Sequence, residues 1–536
     1  MFEYWKSKIF IPLVLAVFLA NVVLPTKEYT SLEKANNFTI IGLHARASKI
    51  YFKLLETDPS NIELHRNRIR SYLKSDRDDD YIEVKNYYLA LSSNKDKSNV
   101  NIALYGLGFI EVLQKNDDKA LNYYFKVDDS EMPYLNSSIG FIYLNKKKYD
   151  LAEEYFLKEI ELEGNIKRAY SNLSKVYYQS GNQTELQKLI NNEEIFPYLS
   201  HKVVRNHFLK TGQYRQYSEI GFKLGNFTTL GLIGAFLILM VWLIFLRKVD
   251  VFEPENPLYI FITLIIACFF TMLARPVYDL FYVYLDFKLT GNYINDFLFC
   301  IFGIGLIEET VKIIPFLIIF RFKRIVNESV DYIIYSSVCG LGFAFIENIL
   351  YFHPGGLDDM VHRMLTSVVL HMALTSFVAF GLLYADYKKN GSRIKYFTMA
   401  FLTACVVHGV YDFWLISDGW IGELKILSIG VLFYAVLSYS IIIVNALNYS
   451  EFYTPKIKLI KTFEFLVLSA TMIAIYQYFV ISYKYGVLAG NINLLELFLF
   501  SFIAFYIVAI LGAFQLSKLE WRNAIDYYPD DKKEVE

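Results

Sequence analysis

The stretch "GLIEETVKIIPF", residues 305–316, decides how this chain is read, because it sets two glutamates and a lysine inside a run with the composition of a membrane span. A span needs about 20 predominantly apolar residues, and the run from Tyr293 to Phe320 has that length. An ionisable side chain at mid-bilayer costs at least ~2.5–3.5 kcal/mol on insertion scales, so such groups persist where they have a task. The i,i+4 spacing puts Glu308 and Lys312 on one helical face, and Glu309 reaches the same lysine at i,i+3.

Around this segment the sequence predicts spans near 226–246, 257–280, 293–320, 331–352, 362–385, 394–416, 424–446, 460–482 and 493–515. The 536 residues are 54% hydrophobic and 17% aromatic, with a mean hydropathy of +0.30. That is too apolar for one soluble protein and implies a membrane domain joined to a soluble one. The charge is balanced, 53 Lys+Arg against 54 Asp+Glu, which offers nothing to a nucleic acid. The four cysteines, Cys268, Cys300, Cys339 and Cys405, all lie in apolar segments and form neither a disulfide framework nor a CxxC knuckle. At the N-terminus, "KSKIFIPLVLAVFLANVVLP" places Lys6 and Lys8 before an apolar run that ends at Pro25. Without an A-x-A-like cleavage site it is expected to be an uncleaved anchor rather than a signal peptide.

Residues 27–223 are charged and amphipathic, and a period runs through them. Gly140, Tyr143, Ala152 and Phe156 recur 34 positions later as Ser174, Tyr177, Leu186 and Ile190. Gly108, Ala120 and Tyr124 precede the set by 32, and Ala47, Tyr51 and Pro59 stand at matching offsets. This pattern looks like tetratricopeptide repeats, in which stacked helix pairs bury one another's apolar faces. The expected division is an anchor or signal at 1–26, a helical repeat domain at 27–223, a transmembrane domain at 224–518 and a tail at 519–536. The fold class is all-α: a polytopic helical bundle of about nine spans plus the anchor, with a soluble repeat domain.

Loop charge gives an orientation. Arg247/Lys248, Arg321/Lys323/Arg324, Lys388/Lys389/Arg393/Lys395, Lys456/Lys458/Lys461 and Lys518/Arg522 fall on one side. The other side holds little beyond Lys288, Arg363, Lys425 and Lys484. Basic loops stay cytoplasmic, so the repeats are expected outside and the C-terminus inside. Lys6 and Lys8 point the same way. The composition, rich in Ile, Asn, Lys and Tyr, reads as bacterial, which makes the inner membrane the expected location.

Further ionisable groups sit in the following spans. "GFAFIENILYF" carries Phe343, Glu347, Asn348 and Tyr351; "LHMALTSF" carries His371 and Thr375; "VVHGVYDFW" carries His408, Tyr411 and Asp412. Counted along helices rising ~1.5 Å per residue, these groups and Glu308 all fall in the outer half of the bilayer. Interhelical ion pairs or a hydrogen-bonded core histidine would explain one of them alone. A proton-coupled transporter would also bury carboxylates and histidines, but no interrupted segments mark inverted halves. The set suits hydrolysis, which needs a base for water, donors for an oxyanion and an acid for the leaving amine. Glutamate and histidine here can equally bind a metal that activates the water. No HExxH is present. Arg275 and Asp279 in "LARPVYDL" read as an interfacial anchor, and Pro315 as a kink in the site span.

EExxK at Glu308–Lys312, FxxxEN at Phe343–Asn348, HxxxT at His371–Thr375 and HxxYD at His408–Asp412 together resemble the PrsW family of intramembrane proteases. That family is grouped with the CAAX prenyl protease and Abi-type glutamic intramembrane proteases. The resemblance covers roughly residues 225–450. It implies a peptidase acting on a membrane-anchored protein near the outer face, as in site-1 cleavage of an anti-sigma factor. By similarity Glu308 is the water-activating base, and Glu309 and Lys312 orient and tune it. Glu347 stands where CAAX enzymes have a histidine, in a position to assist the base or hold a metal. His408 and Asp412 stand where those enzymes have an oxyanion-stabilising HxxxN. An ionised aspartate cannot donate, so Asp412 would act protonated or orient His408. His371 is an addition of PrsW type, and Phe343, Asn348, Tyr351, Thr375 and Tyr411 are supporting residues. The candidate ligands for a divalent metal such as Zn2+ are Glu308, Glu347, His371 and His408. The expected partners are the bilayer, the membrane-anchored substrate and a protein docking on the repeats.

Overall fold

The computed structural model describes residues 11–522 apart from 24–28, 74–77, 222–227, 354, 389–391, 418–421 and 423. Lys6, Lys8, Pro25 and the end of the tail lie outside the described residues. The chain divides into two compact units, Thr26–Lys223 on one hand and Met1–Pro25 with Leu224–Glu536 on the other.

After α1 (Ile11–Val23), which belongs to the membrane unit, the first unit is a run of helical hairpins. Their helices are α2 (Ser31–Ile40) with α3 (His44–Thr57), α4 (Ile62–Leu73) with α5 (Asp78–Leu91), and α6 (Lys97–Leu113) with α7 (Asp117–Tyr124). They continue as α8 (Leu135–Asn145) with α9 (Tyr149–Glu161), α10 (Ile166–Ser180) with α11 (Gln183–Asn191), and α12 (His201–Lys210) with α13 (Tyr214–Gly221). The period seen in the sequence is a crossing rule. A methyl group on Gly108 would stand 2.5 Å from the Tyr124 ring, and one on Gly140 would stand 3.0 Å from Phe156. In these two pairs the first helix is bare where the second presents an aromatic ring, so the two backbones approach closely. Ala120 and Ala152, buried completely, repeat the small residue on the second helix. Asp96, Asn165 and Asn182 cap α6, α10 and α11 through their side-chain oxygens.

Among the described residues, the second unit holds eight helices long and apolar enough to cross a membrane. They begin with α14 (Thr229–Val249), and the second is broken into α15 (Pro257–Met272) and α16 (Ala274–Leu285). Next comes a continuous helical segment, 293–320, in three pieces: α17 (Tyr293–Leu298), a π-helical turn (Phe299–Gly305) and α18 (Leu306–Phe320). This is the third expected span, and its charges and its break keep it out of the set of eight. Then follow α19 (Ser329–Tyr351), α20 (Met360–Leu365) running into α21 (Ser367–Tyr387), α22 (Arg393–Ile416) and α23 (Ile426–Asn448). The last two are α24 (Phe463–Tyr485) and α25 (Val487–Ile510).

Two of these helices are central. The apolar windows of α19 and of the α20–α21 segment are 78% and 83% buried, against 22% to 44% for the others. Lacking a hydrophobic drive between helices in lipid, the bundle uses hydrogen bonds as glue. Ser337 meets Ser376 at 2.8 Å and the Tyr439 hydroxyl at 2.6 Å, tying α19 to α21 and α23. At one end of the bundle β1 (Leu459–Lys461) pairs antiparallel with β2 (Ala513–Gln515). Asn445 and Asn448 then hold the backbone of residues 517–522. Pro315 lies inside α18, and the departure from α-helical geometry comes earlier, at the π turn.

Candidate active site

The site is assembled on α18. Glu308 and Glu309 lie in its first turn, directly after the π-helical turn. Single π turns inside helices recur at functional positions because they displace the side chains that follow. Lys312, one turn on and completely buried at its ammonium, meets Glu309 Oε1 at 2.8 Å and Glu308 Oε2 at 3.4 Å. It also donates to His371 Nδ1 at 2.8 Å and lies 4.3 Å from the centre of the Phe343 ring. One cation thus joins α18 to α19 and α21.

His408 enters from α22, and glycine lets it come close. A methyl group on Gly409 would fall 2.5 Å from the Cα of Ile301, and one on Gly305 would fall 2.4 Å from the carbonyl oxygen of Cys405. Only bare backbone on both sides permits this crossing. His408 Nδ1 then lies 2.7 Å from Glu309 Oε1, while Nε2 faces Glu308 Oε2 at 3.4 Å and Asp412 Oδ2 at 3.5 Å.

Hydrogen-bond logic fixes both imidazoles. Lys312 can only donate, so Nδ1 of His371 accepts and its Nε2–H donates to Glu347 Oε2 at 2.9 Å. His408 Nδ1 lies 3.4 Å from Lys312 Nζ but only 2.7 Å from Glu309 Oε1, so the shorter contact assigns it as Nδ1–H donating to that carboxylate, which leaves the Nε2 lone pair directed between two carboxyl oxygens. Glu308 Oε2 is itself buried with no hydrogen-bond donor. A lone pair facing an orphaned carboxylate oxygen, with the other ring nitrogen held by a second carboxylate, is the arrangement a metal ligand adopts. One ligand atom each from Glu308, His371 and His408 fall within 4.8 Å of one another. Two cations, Lys312 and Arg363, face four carboxyl groups here, and a divalent ion would balance the surplus. Glu308, His371 and His408 therefore offer the donors of a His2Glu metal site, His371 through Nδ1 once the Lys312 ammonium has left that nitrogen.

Glu347 is displaced from that trio. Its Oε2 accepts from Arg363 Nη2 at 2.7 Å as well as from His371, which makes it a support for the histidine rather than a ligand. Asn348 takes Arg363 Nε at 2.7 Å, and the same guanidinium lies 4.0 Å from the centre of the Tyr351 ring. Thr375 donates back to the His371 carbonyl, a bond within its own helix. The ring of Phe343 packs on His371 at 5.0 Å. Tyr411 is buried on the flank, with its hydroxyl directed to Thr366 and Ser367.

Two participants have no place in the sequence motifs. Tyr278, on α16, donates its hydroxyl to Glu308 Oε1 at 2.7 Å. Its stretch drew notice for Arg275 and Asp279, and nothing in the spacing separates it from the neighbouring Tyr282 and Tyr284. Arg363 precedes α21 in a chain face otherwise poor in cations, and that isolation was its only signal.

An all-α, multi-pass membrane bundle enclosing a Glu–Lys–His network is the class this fold and site define. Residues 255–443 match the model of the PrsW family intramembrane metalloprotease. The chain is similar to Protease PrsW of Bacillus subtilis, 31% identical over 118 residues, which cover 22% of this chain and 54% of that protein. It is similar likewise to Protease PrsW of Oceanobacillus iheyensis, 33% identical over 122 residues (23% and 56%). For Protease PrsW of Geobacillus kaustophilus the figures are 35% over 115 residues (21% and 50%). The chain spans about half the length of the curated relatives it matches, and every one of the motifs Glu308–Lys312, Phe343–Asn348, His371–Thr375 and His408–Asp412 lies inside the segment 255–443.

Proposed function

We propose that the membrane unit is a PrsW-type intramembrane peptidase that hydrolyses a peptide bond of a membrane-anchored protein. The observation that carries this reading is the undonated Glu308 Oε2 facing the His408 Nε2 lone pair, held there by Tyr278, Glu309 and Lys312. Glu308 keeps Oε1 on the Tyr278 hydroxyl and offers Oε2 to the proton of an attacking water. Glu309 holds His408 in the Nδ1–H tautomer, and Glu347 holds His371 in the Nε2–H tautomer. Lys312 anchors both acids of α18 and contributes positive charge where the carbonyl oxygen becomes negative.

Glu308, His371 and His408 are the residues that would hold a divalent ion such as Zn2+. A bound ion supplies a water acidic enough to be a nucleophile near neutral pH and polarises the scissile carbonyl. With Glu308 engaged in that way, Asp412, beside His408 Nε2, is the carboxylate left to accept the proton. Loop charge favours an inner-membrane orientation with the repeats and the polar site toward the outside and the C-terminus in the cytoplasm. Its substrate would be an anti-sigma factor or similar regulator, docked by the tetratricopeptide-like repeats.

Proteomics on cells expressing wild type or Glu308→Gln tests the reading. A membrane protein cut only by wild type is the expected result, and general-base loss predicts a fall of about 10²–10⁴-fold in its cleavage. Cleavage that survives Glu308→Gln combined with His408→Ala would overturn it. Metal content of purified wild type against His371→Ala separates the metal-assisted route from the purely glutamic one.

A further inference from the structure

The first helices of four successive hairpins put one stripe each on a shared face of the repeat unit. From α4 come Arg66 and Arg70, and from α6 come Tyr105 and Phe109. From α8 come Ser138 and Phe141, with Tyr134 at its cap, and from α10 come Arg168, Asn172 and Lys175. These are i,i+4 neighbours or close to it, so each group lies on one side of its helix.

The cations on this face have no anions. Arg66, buried, donates to the Tyr105 hydroxyl and to Ser138 Oγ at 3.1 Å, both neutral. Its guanidinium carbon lies 4.2 Å from the Phe109 ring centre and 4.8 Å from that of Tyr134. Arg70 lies 5.3 Å from Phe109 and Arg168 lies 6.0 Å from Phe141. No ion pair joins Arg66, Arg70, Arg168 or Lys175 to a carboxylate among the described residues. The nearest acids are occupied. Glu159 accepts the backbone N–H groups of Tyr134, Ser137 and Asn165, and Glu63 reaches the Tyr134 hydroxyl.

The strain of this crowding is felt at Arg70. Burial, and then the positive charges of Arg66 and Arg168, push it down to about 10. Arg168 is lowered by burial and by Arg66, and Lys175 by burial and by Arg168. A second feature lies under the same face. Lys175 holds Asn172 Oδ1 at 3.0 Å, while the buried Asn172 Nδ2 has no acceptor. Uncompensated guanidinium groups, an amide donor without a partner and aromatic rings between them describe half of an interface whose other half is acidic.

We propose that this face of the repeat unit binds an extended acidic segment of a partner protein, with carboxylates on the half-exposed Arg70, Arg168 and Lys175 and apolar side chains against Tyr134 and Phe141. This deepens the docking role proposed above by naming its chemistry. Four helices at interaxial steps of about 10 Å offer a track of about 30 Å. At about 3.3 Å per residue that accommodates about nine residues of strand-like chain. A phosphate would use one guanidinium pair and leave the rings bare, so a peptide is the better fit.

The test uses the full-length protein in nanodiscs, carrying Glu308→Gln so that binding is read apart from any cleavage. The probe is a fluorescein-labelled peptide alternating Glu with Leu and Phe, followed by anisotropy. The expected result is saturable binding that weakens with salt and falls at least about tenfold, or 1.4 kcal/mol, in Arg70→Glu with Arg168→Glu. Arg70→Lys with Arg168→Lys retains most of the affinity, which shows that the fold survives substitution at these half-exposed positions. The proposal is overturned if the peptide with Lys in place of Glu binds as well, or if the charge reversal leaves binding unchanged. Complete displacement by millimolar inorganic phosphate would overturn it too, assigning the face to a small anion. Failure of the peptidase reading would leave all of these outcomes as they are.

Discussion

Lys312 in the membrane unit and Arg66 in the repeat unit are both long cations with almost no exposure, in opposite company. Lys312 is enclosed by two carboxylates on its own helix and two imidazoles on two others. Arg66 is enclosed by hydroxyls and rings, with two more guanidinium groups nearby and no carboxylate. A buried charge is costly unless paired and hydrogen-bonded. The membrane site meets that condition from within, so it is preorganised for a small reactant. The repeat face meets it only in part, with cation–π contacts and neutral acceptors, and its remaining demand is for an external anion.

Removing each cation is the sharpest way to break this contrast. Lys312→Met leaves Glu308 and Glu309 buried without their counter-charge and should cost about 3–5 kcal/mol. A loss of folded protein on size-exclusion chromatography, together with abolished cleavage, would register it. If Lys312→Met proved as stable as wild type, the network would not be the element holding α18 to α21.

Acid should separate the units next. His65 in α4 is held neutral, its Nδ1 3.0 Å or less from the Tyr88 hydroxyl and its Nε2 3.0 Å from the Pro59 carbonyl. Burial lowers it from 6.5 to about 4. Between those values the unfolded chain binds the proton and the folded one does not, so stability falls as pH falls through that window. The loss approaches about 3 kcal/mol at the acid end. Hydrogen exchange at the amides of Ile62–Leu73, corrected for its intrinsic pH dependence, should accelerate between pH 6.5 and 4, and His65→Gln should flatten that profile.

Tyr278→Phe removes one donor from Glu308 and leaves every other member of the site in place. Loss of a group that orients a reacting carboxylate predicts a fall of about tenfold in turnover, or 1.4 kcal/mol, with the fold intact. An unchanged rate would mean that Glu308 is oriented by Lys312 alone. The smallest effect belongs to Arg66→Met. The cation–π contacts it loses are worth about 0.5–2 kcal/mol, and relief of repulsion from Arg70 and Arg168 offsets part of that. A net change within about 1 kcal/mol in the same hydrogen-exchange experiment is expected, in contrast to Lys312→Met.

Much of the site was legible before the structure because its spacing is one-dimensional. Glu308, Glu309 and Lys312 interact within one helix, so the i,i+3 and i,i+4 rule alone puts them together. The multi-span character was legible from length and apolar composition, although the sequence counts 293–320 as a further span beyond the eight helices that meet that measure among the described residues. The break at Phe299–Gly305 was not, since Pro315 is the more obvious helix breaker and nothing in "FCIFGIG" announces a π turn. The surroundings of Glu347 were hidden for a related reason. Its helix and depth suit a ligand, but Arg363, on a different segment, claims its oxygen first.

The sequence by itself determined which groups are ionisable in an apolar setting and on which helices they lie. Periodicity along a helix and the cost of charge in lipid are local properties, readable residue by residue. Only the tertiary structure decided which atoms face one another: His408 Nε2 toward Glu308, Tyr278 on the other oxygen of the same acid, and four arginine and lysine side chains sharing one face without a carboxylate among them. Those pairings depend on how closely backbones cross, as at Gly305 and Gly409, and on segments far apart in the chain, and no rule of spacing encodes either.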